Sequence, residues 1–475
     1  MTTECNGKRL EFHPLGSREV RADFDGGAIT SDGGGLLLRE VEKRTGIIER
    51  FAGCFTDHRK PEQTEHPVGE LVGQRVYGIA LGYEDLNDHD QLRQDLMLAV
   101  LVEKKDPTGE SRVRKRDRGK ALAGKSTLNR LELTKAEATK AEATKKERYK
   151  KIGIDTEAVD RLLVQVFLES YAEAPAEIVV DVDATDDPLY GEQEGRFFHG
   201  YYGSYCYLPL YIFCGDALLC ARLRPANQDA SAGCTEELDR IVRQIREAWP
   251  GVKIIIRGDS GFCREGVMKW CEEHGVDYVL GLAKNERLKK AIEEELEEVA
   301  KEYERTGKAA RQFKEFEYRT RESWSRARRV VAKAEHLEKG SNPRFVVTSL
   351  SGESWEARRL YEELYCARGE MENRIKEQLM LFADRTSTAF LRSNQIRLYF
   401  SSIAYVLMEA LRRLGLAGTE WAQAQAATIR LKVLKIGAQI RVTVRKVWIA
   451  LAEGYPYAQR WASICARLQQ IPVRG

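Results

Sequence analysis

The sequence predicts an α/β protein built on a mixed sheet, with helical regions before and after it. Three observations predict this. From Glu177 onward, short apolar runs with β-branched centres alternate with helix-length stretches, the order of strands and helices packed in layers. Two of these runs end in aspartates, at the strand edge where open α/β sheets gather ligands. Before residue 176 and after about residue 392 the texture is chiefly helical.

Taken in order, residues 34–45 follow Ser31 and Asp32, both good N-caps, and predict a first helix. Residues 67–82 predict a second, and a further apolar helix ends at Leu101 after a polar connection. Next come a basic loop (112–118) and an Ala/Glu/Lys/Thr repeat (134–145), whose closely spaced opposite charges suit a solvated helix or spacer. Strands are predicted at 177–183, 206–213 and 217–224, then a helix at 232–249 and a strand at 252–256. A helix at 264–274, a strand at 278–282 and a long charged helix at 285–306 follow. Strand texture returns over 311–350, and 357–381 is helical again. The C-terminal part predicts amphipathic helices at 393–414 and 457–470 around a strand at 439–447.

At 475 residues, 43% hydrophobic and 31% charged, the chain has room for two or three cores. It has no apolar run long enough for a membrane span, and the opening Met1-Thr2-Thr3-Glu4-Cys5 lacks the regions of a signal peptide. Ten scattered cysteines without a Cys-x-x-Cys pair, several inside apolar runs, point to a reducing cytoplasm. The net charge of +3 conceals two basic blocks: 16 Lys and Arg against 7 Asp and Glu over 104–150, and 14 against 3 over 385–475. Each block alone reads equally well as a solvated face; together they suggest contact with a polyanion.

The candidate chemistry lies in carboxylates. Asp181 and Asp183 share one face of their strand by its period of two, and Asp259 ends the strand at 252–256. Carboxylates on neighbouring strand ends repel, by roughly 4 kcal/mol at an effective dielectric of about 20, and a hard divalent cation relieves that cost. Turn or cap roles remain open for each aspartate. On the helix at 357–381, Tyr365, Arg368, Glu372 and Lys376 fall on one face, either as a salt-bridged surface or as a carboxylate completing a metal site beside phosphate-holding cations.

Asp-x-Thr on a first strand (Asp183, Thr185), Gly-Asp-Ser-Gly-Phe on a later one (258–262) and Tyr-x-x-Arg-x-x-x-Glu on a final helix (Tyr365, Arg368, Glu372) stand in this order. The set resembles the DDE insertion-sequence transposases, over residues 31–38, 75–90, 122–131, 180–282 and the Glu helix onward. The resemblance implies an RNase H-like catalytic core interrupted by a β-rich insertion between the second Asp and the Glu, in the cut-and-paste branch. It implies a DNA transposase that binds transposon ends, cleaves them and joins the 3′-OH ends to target DNA. By motif, the catalytic metal ligands are Asp183, Asp259 and Glu372, with Asp181 as the alternative first ligand. They would hold two Mg²⁺ ions, with Mn²⁺ as substitute. Tyr365 and Arg368 match the DNA-contacting positions. The family pattern carries a Lys seven residues after the Glu; this chain has Leu379 there, and Lys376 one turn earlier is the substitute. Lys125 and Arg130 carry a DNA role by the same resemblance. The partners implied are double-stranded DNA, as terminal inverted repeats and target, and a second subunit in an active homodimer.

The resulting organisation is a helical end-binding region (1–175), a core in two parts (176–288 and 356–392), a β-rich insertion (289–355) and a basic helical tail (393–475). Trp324, among arginines in the insertion, is a candidate base-stacking residue or a packed one. Residues Gly119 to Ser126 match the phosphate-binding loop pattern, so a nucleotide hydrolase is a rival, although the basic run 112–118 cannot supply the buried strand that motif needs. The other rivals are an inactive, transposase-derived DNA-binding protein and a plain metal-dependent nuclease. His66, His89 and His199 have no metal-ligand spacing.

Overall fold

The computed structural model describes residues 10–133 and 151–474, so the repeat at 134–145 lies outside the described residues. The centre is one large mixed sheet, whose strands alone are numbered: β1 (Glu177–Ala184), β2 (Leu210–Cys214), β3 (Ala217–Arg222), β4 (Lys253–Gly258), β5 (Asp277–Leu282), β6 (Ala310–Tyr318), β7 (Arg328–Leu337), β8 (Gly340–Ser341) and β9 (Arg344–Thr348). Their order is β3-β2-β1-β4-β5-β9-β7-β6, with β8 paired to β7. β1, β4 and β5 run parallel, and β2 is antiparallel to both β1 and β3. This half of the sheet is RNase H-like, as the resemblance implied. The strands after Asp259 extend the same sheet through the antiparallel pairs β5–β9, β9–β7 and β7–β6.

The pleat decides what each face does. Ile178, Val180 and Val182 of β1 and Ile254 and Ile256 of β4 point into a core covered by the helices Cys234–Ala248 and Glu265–Glu273. The intervening residues face the other way, where Ile255, Val279, Val331 and Val346 pack under Leu360, Tyr361 and Leu364. Asp181, Asp183 and Arg257 belong to this second face, so strand periodicity alone brings them beneath the segment that carries Glu372.

A second body combines both ends of the chain. Helices Leu36–Thr45, Val68–Leu81 and Leu391–Leu411 share one hydrophobic core with Ile429, Trp461 and Leu468 from the C-terminal part. The helix Leu391–Leu411 is buried nearly all round, from Ile396 to Leu411, rather than amphipathic as its sequence suggested. Its buried polar residues are satisfied locally: Gln395 bonds the backbone of Leu223 and Ala221, and Ser401 donates to the Leu381 carbonyl. Part of the C-terminal basic block is taken up by ion pairs within the protein, although most of its Lys and Arg stay exposed. Arg397 pairs with Glu132 (2.7 Å), Lys435 with Asp32 (2.5 Å), Arg385 with Glu84 and Arg412 with Glu377.

Several elements differ from their sequence reading for identifiable reasons. The strand expected at 206–213 is two, Ser204–Tyr207 and Leu210–Cys214, and Pro209 lies at the break. The helix expected at 285–306 is interrupted at Ile292. Asp32 makes no side-chain cap; its carboxylate accepts from Tyr83 Oη (2.6 Å) and pairs with Lys435. Residues 10–22, in a region read as helical, form an exposed β-hairpin. The C-terminal strand expected at 439–447 is the hairpin Ala438–Val442 with Val447–Leu451. Among the described residues, no helix is long and apolar enough to cross a membrane.

Candidate active site

Asp183 is the penultimate residue of β1, and the parallel register with β4 pairs Asp181 with Arg257 and Val182 with Gly258. One residue further along, Asp259 follows the end of β4, close enough that its charge acts on the Asp183 carboxyl. Asp259 Oδ1 accepts the Gly261 N–H at 2.8 Å, which tightens the turn after β4.

The third carboxylate arrives on an irregular helix. The segment read as one helix over 357–381 begins as an α-turn at Ala357–Arg359 and passes through a π-turn (Leu360–Tyr365) and a 3₁₀ turn (Cys366–Arg368). It resumes as α-helix over Gly369–Met380. Such irregular turns are frequent at functional sites. Arg368 stands at the junction, and its guanidinium joins two carboxylates: Nη1 to Asp183 Oδ2 at 3.3 Å and Nη2 to Glu372 Oε1 at 3.0 Å. Burial pushes the Asp183 carboxyl up to about 6; Arg368 opposes this, while the charges of Asp259 and Glu372 reinforce it.

Tyr365 is placed by the absence of a side chain elsewhere. A Cβ on Gly281, in β5, would lie 2.5 Å from the Tyr365 hydroxyl and 3.0 Å from the Ser260 nitrogen. The bare glycine thus lets the phenol settle against the Asp259–Ser260 turn. Burial pushes the Tyr365 phenol above its ordinary pKa, Arg368 counters it and Asp259 adds to it.

Asp181 has a different occupation. It is 3% exposed and forms a bidentate pair with Arg257, Nε to Oδ1 at 2.5 Å and Nη2 to Oδ2 at 2.8 Å. Arg257 Nη1 also donates to the Leu364 carbonyl at 2.6 Å, so this pair ties the sheet to the π-turn before Glu372. Arg257 and Gly281 were not singled out from the sequence. An arginine closing the apolar run Ile254-Ile255-Ile256 was the available signal, because a buried guanidinium demands a carboxylate.

The structure therefore brings Asp183, Asp259, Glu372, Arg368 and Tyr365 together at the carboxyl ends of β1 and β4, with Lys376 exposed one turn beyond Glu372. Among the described residues, no group of three or more His, Cys, Asp or Glu side chains is placed so that it could hold a metal ion. The three expected ligands are all carboxylates, the donor chemistry that suits a hard divalent cation, and the Arg368 guanidinium supplies positive charge between Asp183 and Glu372.

Other candidates lie elsewhere. Trp324 is 4% exposed, packed edge-on against Tyr318 (5.7 Å) with the Arg328 guanidinium 5.5 Å from its ring; it is a packing residue and presents no stacking surface. Lys125 Nζ pairs with Asn87 Oδ1 (2.9 Å) and Asp90 Oδ2 (3.3 Å) at the start of helix Lys125–Glu132, which also carries Arg130. The phosphate-loop reading lacks its geometry. A 3₁₀ turn (Lys115–Asp117) stands where the strand should be, and the loop is stapled by Gln74, whose amide exchanges two hydrogen bonds with the Ala123 backbone.

A family profile described as Transposase DDE domain group 1 matches residues 12–473. Among solved structures, the chain is similar to a piggyBac transposase in a synaptic complex with hairpin DNA. Identity is 13%, the TM-score 0.40, and the match covers 86% of this chain and 80% of that one. Among curated proteins, none matches.

Proposed function

Because the chain belongs to the DDE transposase family, we propose that it binds the terminal inverted repeats of a transposon, hydrolyses the phosphodiester at each end and joins the freed 3′-OH to target DNA. Asp183, Asp259 and Glu372 are its catalytic carboxylates in this reading. The observation that carries it is the Arg368 bridge: two carboxylates far apart in sequence meet on one guanidinium, with Asp259 just past the end of the adjacent parallel strand. The pairing of Asp181 with Arg257 supports Asp183 as the first ligand.

The three carboxylates would hold two Mg²⁺ ions, or Mn²⁺ in their place. When bound, such ions activate an attacking oxygen and stabilise the leaving one. The protein's own part is charge and position. Asp183, with its carboxyl at about 6, is mostly ionised above neutrality and available as a ligand. Arg368, once turned from the carboxylates, is within a side chain's reach of a phosphate bound there, and Lys376 adds a second cation on the same helix. Tyr365, seated over Gly281, orients the Asp259 turn and borders the DNA backbone. We assign end binding to the amino-terminal region (1–175), and chemistry to 176–288 with 356–392. The segment 289–355 buttresses the Glu helix, and the active form is a homodimer in a reducing cytoplasm.

Asp183→Ala, Asp259→Ala and Glu372→Ala should each abolish metal-dependent cleavage of the element's own ends while leaving end binding within a few-fold. Cleavage that survives any one substitution removes that residue from the site. Absence of strand-transfer products from an enzyme that cuts reduces the reading to a nuclease.

A further inference from the structure

The strand Val447–Leu451 is the outer member of a three-stranded sheet, with Ala438–Val442 in the centre and Ile29–Thr30 on the far side. The register fixes which backbone groups turn outward. Ile440 N donates to the Ala28 carbonyl at 2.8 Å, so Ala438 and Ile440 bond toward Ile29–Thr30 while Gln439 and Arg441 bond toward the outer strand. Their partners there are Ala450 and Trp448, and the ladder continues with Ala452 N to the Gly437 carbonyl (2.7 Å) and Thr443 N to the Lys446 carbonyl (2.8 Å). The N–H and C=O groups of Val447, Ile449 and Leu451 therefore point away from the sheet, and no strand among the described residues lies beyond them.

This edge is unguarded. Val-Trp-Ile-Ala-Leu contains no charge and no proline, and its pairing runs without a bulge. Other edges of the protein are blunted: β6, the last strand of the large sheet, carries Arg311, Lys314, Glu315 and Glu317, and the hairpin at 10–22 carries Pro14 and alternating charges. The edge is also held firmly. Ile449 and Leu451 pack against the core of the second body, and Leu451 lies so close to Gly33 that a Cβ there would stand 2.7 Å from its Cδ2. Val447 and Trp448 remain 42% and 51% exposed. A rigid, apolar row of unpaired backbone groups is a template for another strand.

We propose that a second copy of this chain pairs with it here, antiparallel, the two Val447–Leu451 edges meeting about a two-fold axis at Ile449. The proposal rests on the homodimer of the transposase reading and names the surface that makes it. Self-pairing suits this sequence at each level. The outward groups match: Ile449 meets Ile449, and Val447 meets Leu451 on either side, for about six hydrogen bonds between the copies. Size matches on the outer face, where Trp448, with Lys446 5.2 Å over its ring, comes opposite the second copy's Ala450. Charge matches at the ends. The same register sets Arg445 against the second copy's Glu453, twice by symmetry, and both are exposed with no ion-pair partner among the described residues.

The test is sedimentation velocity of the full chain without DNA, over a range of concentrations. The wild type should reach a dimer. Arg445→Glu and Glu453→Arg should each weaken dimerisation about ten-fold, the scale of two exposed pairs turned repulsive, and the two together should restore it to within a few-fold. Val447→Pro removes an outward N–H and no bond to Ala438–Val442, so it should abolish the dimer with circular dichroism unchanged. Should that variant unfold, the charge reversals decide, since both positions are exposed. A monomeric wild type overturns the proposal, as does single-reversal weakening that the double reversal fails to repair. A dimer indifferent to every variant also overturns it and leaves the homodimer to another face. The transposase reading fails on a different measurement, end cleavage, which sedimentation without DNA does not touch.

Discussion

Replacing Arg257 by alanine should cost stability out of proportion to the atoms removed. The guanidinium makes a two-point pair with Asp181, which is 3% exposed, and caps the Leu364 carbonyl. Its removal leaves a carboxylate and a carbonyl facing an apolar sheet, and breaking a buried pair from one side costs about 3–5 kcal/mol. The loss should depend on pH with a definite sign. Burial already raises the Asp181 carboxyl above its ordinary value, and without Arg257 it rises further. A carboxyl whose folded value exceeds its unfolded one favours the folded state below the unfolded value, and that advantage vanishes as pH rises through the folded one. The deficit measured by urea unfolding in chelator should therefore be smaller near about pH 5 than near about pH 8. Asp181→Leu together with Arg257→Met, which removes both charges, should recover most of it. A deficit under about 1 kcal/mol, or one equal at both pH values, would refute the reasoning, because an uncompensated buried charge permits neither.

Three further outcomes follow from geometry already described. Gly281→Ala should leave the fold intact by circular dichroism yet reduce end cleavage at least about ten-fold, because its methyl displaces Tyr365 and the Asp259 turn; unaltered cleavage would show the phenol's seat to be dispensable. Trp324→Ala should lower the melting temperature through a loss of about 3–5 kcal/mol of packing, without changing affinity for DNA; the reverse pattern would restore its role as a stacking residue. Asp187 is buried, accepts from Thr386 Oγ1 at 2.8 Å, and is raised by burial to about 8. Stability should thus decline as pH rises from about 4 to about 8 and level off above it, and Asp187→Asn should flatten that part of the profile; an unchanged slope would place the titration elsewhere.

The legible part of this molecule was the part governed by short-range periodicity. Alternation along Ile178–Asp183 announced both a strand and a shared face for two aspartates, and the helix period set Arg368 and Glu372 four apart, where they pair. Period alone could not tell which aspartate faces a competing arginine. Asp181 and Asp183 are equivalent until the β1–β4 register brings Arg257 to the first of them. Nor could it tell a solvated basic tail from one partly taken up by internal partners, since the acids that meet Arg397, Arg412 and Lys435 stand at Glu132, Glu377 and Asp32. Trp324 misled for a similar reason. Its basic surroundings were visible, whereas the Tyr318 ring and the Arg328 guanidinium against it are set by the β6–β7 pairing.

The helix Leu391–Leu411 is the spine on which the first hundred-odd residues close their core. During synthesis those residues must wait, partly collapsed, until translation has almost finished before their apolar faces find a permanent mate. Contacts of such long sequence separation make for slow folding and prolonged exposure to aggregation. A gene copy truncated before codon 391 would consequently yield a chain whose amino-terminal helices lack the spine of their core, and proteolysis should clear it.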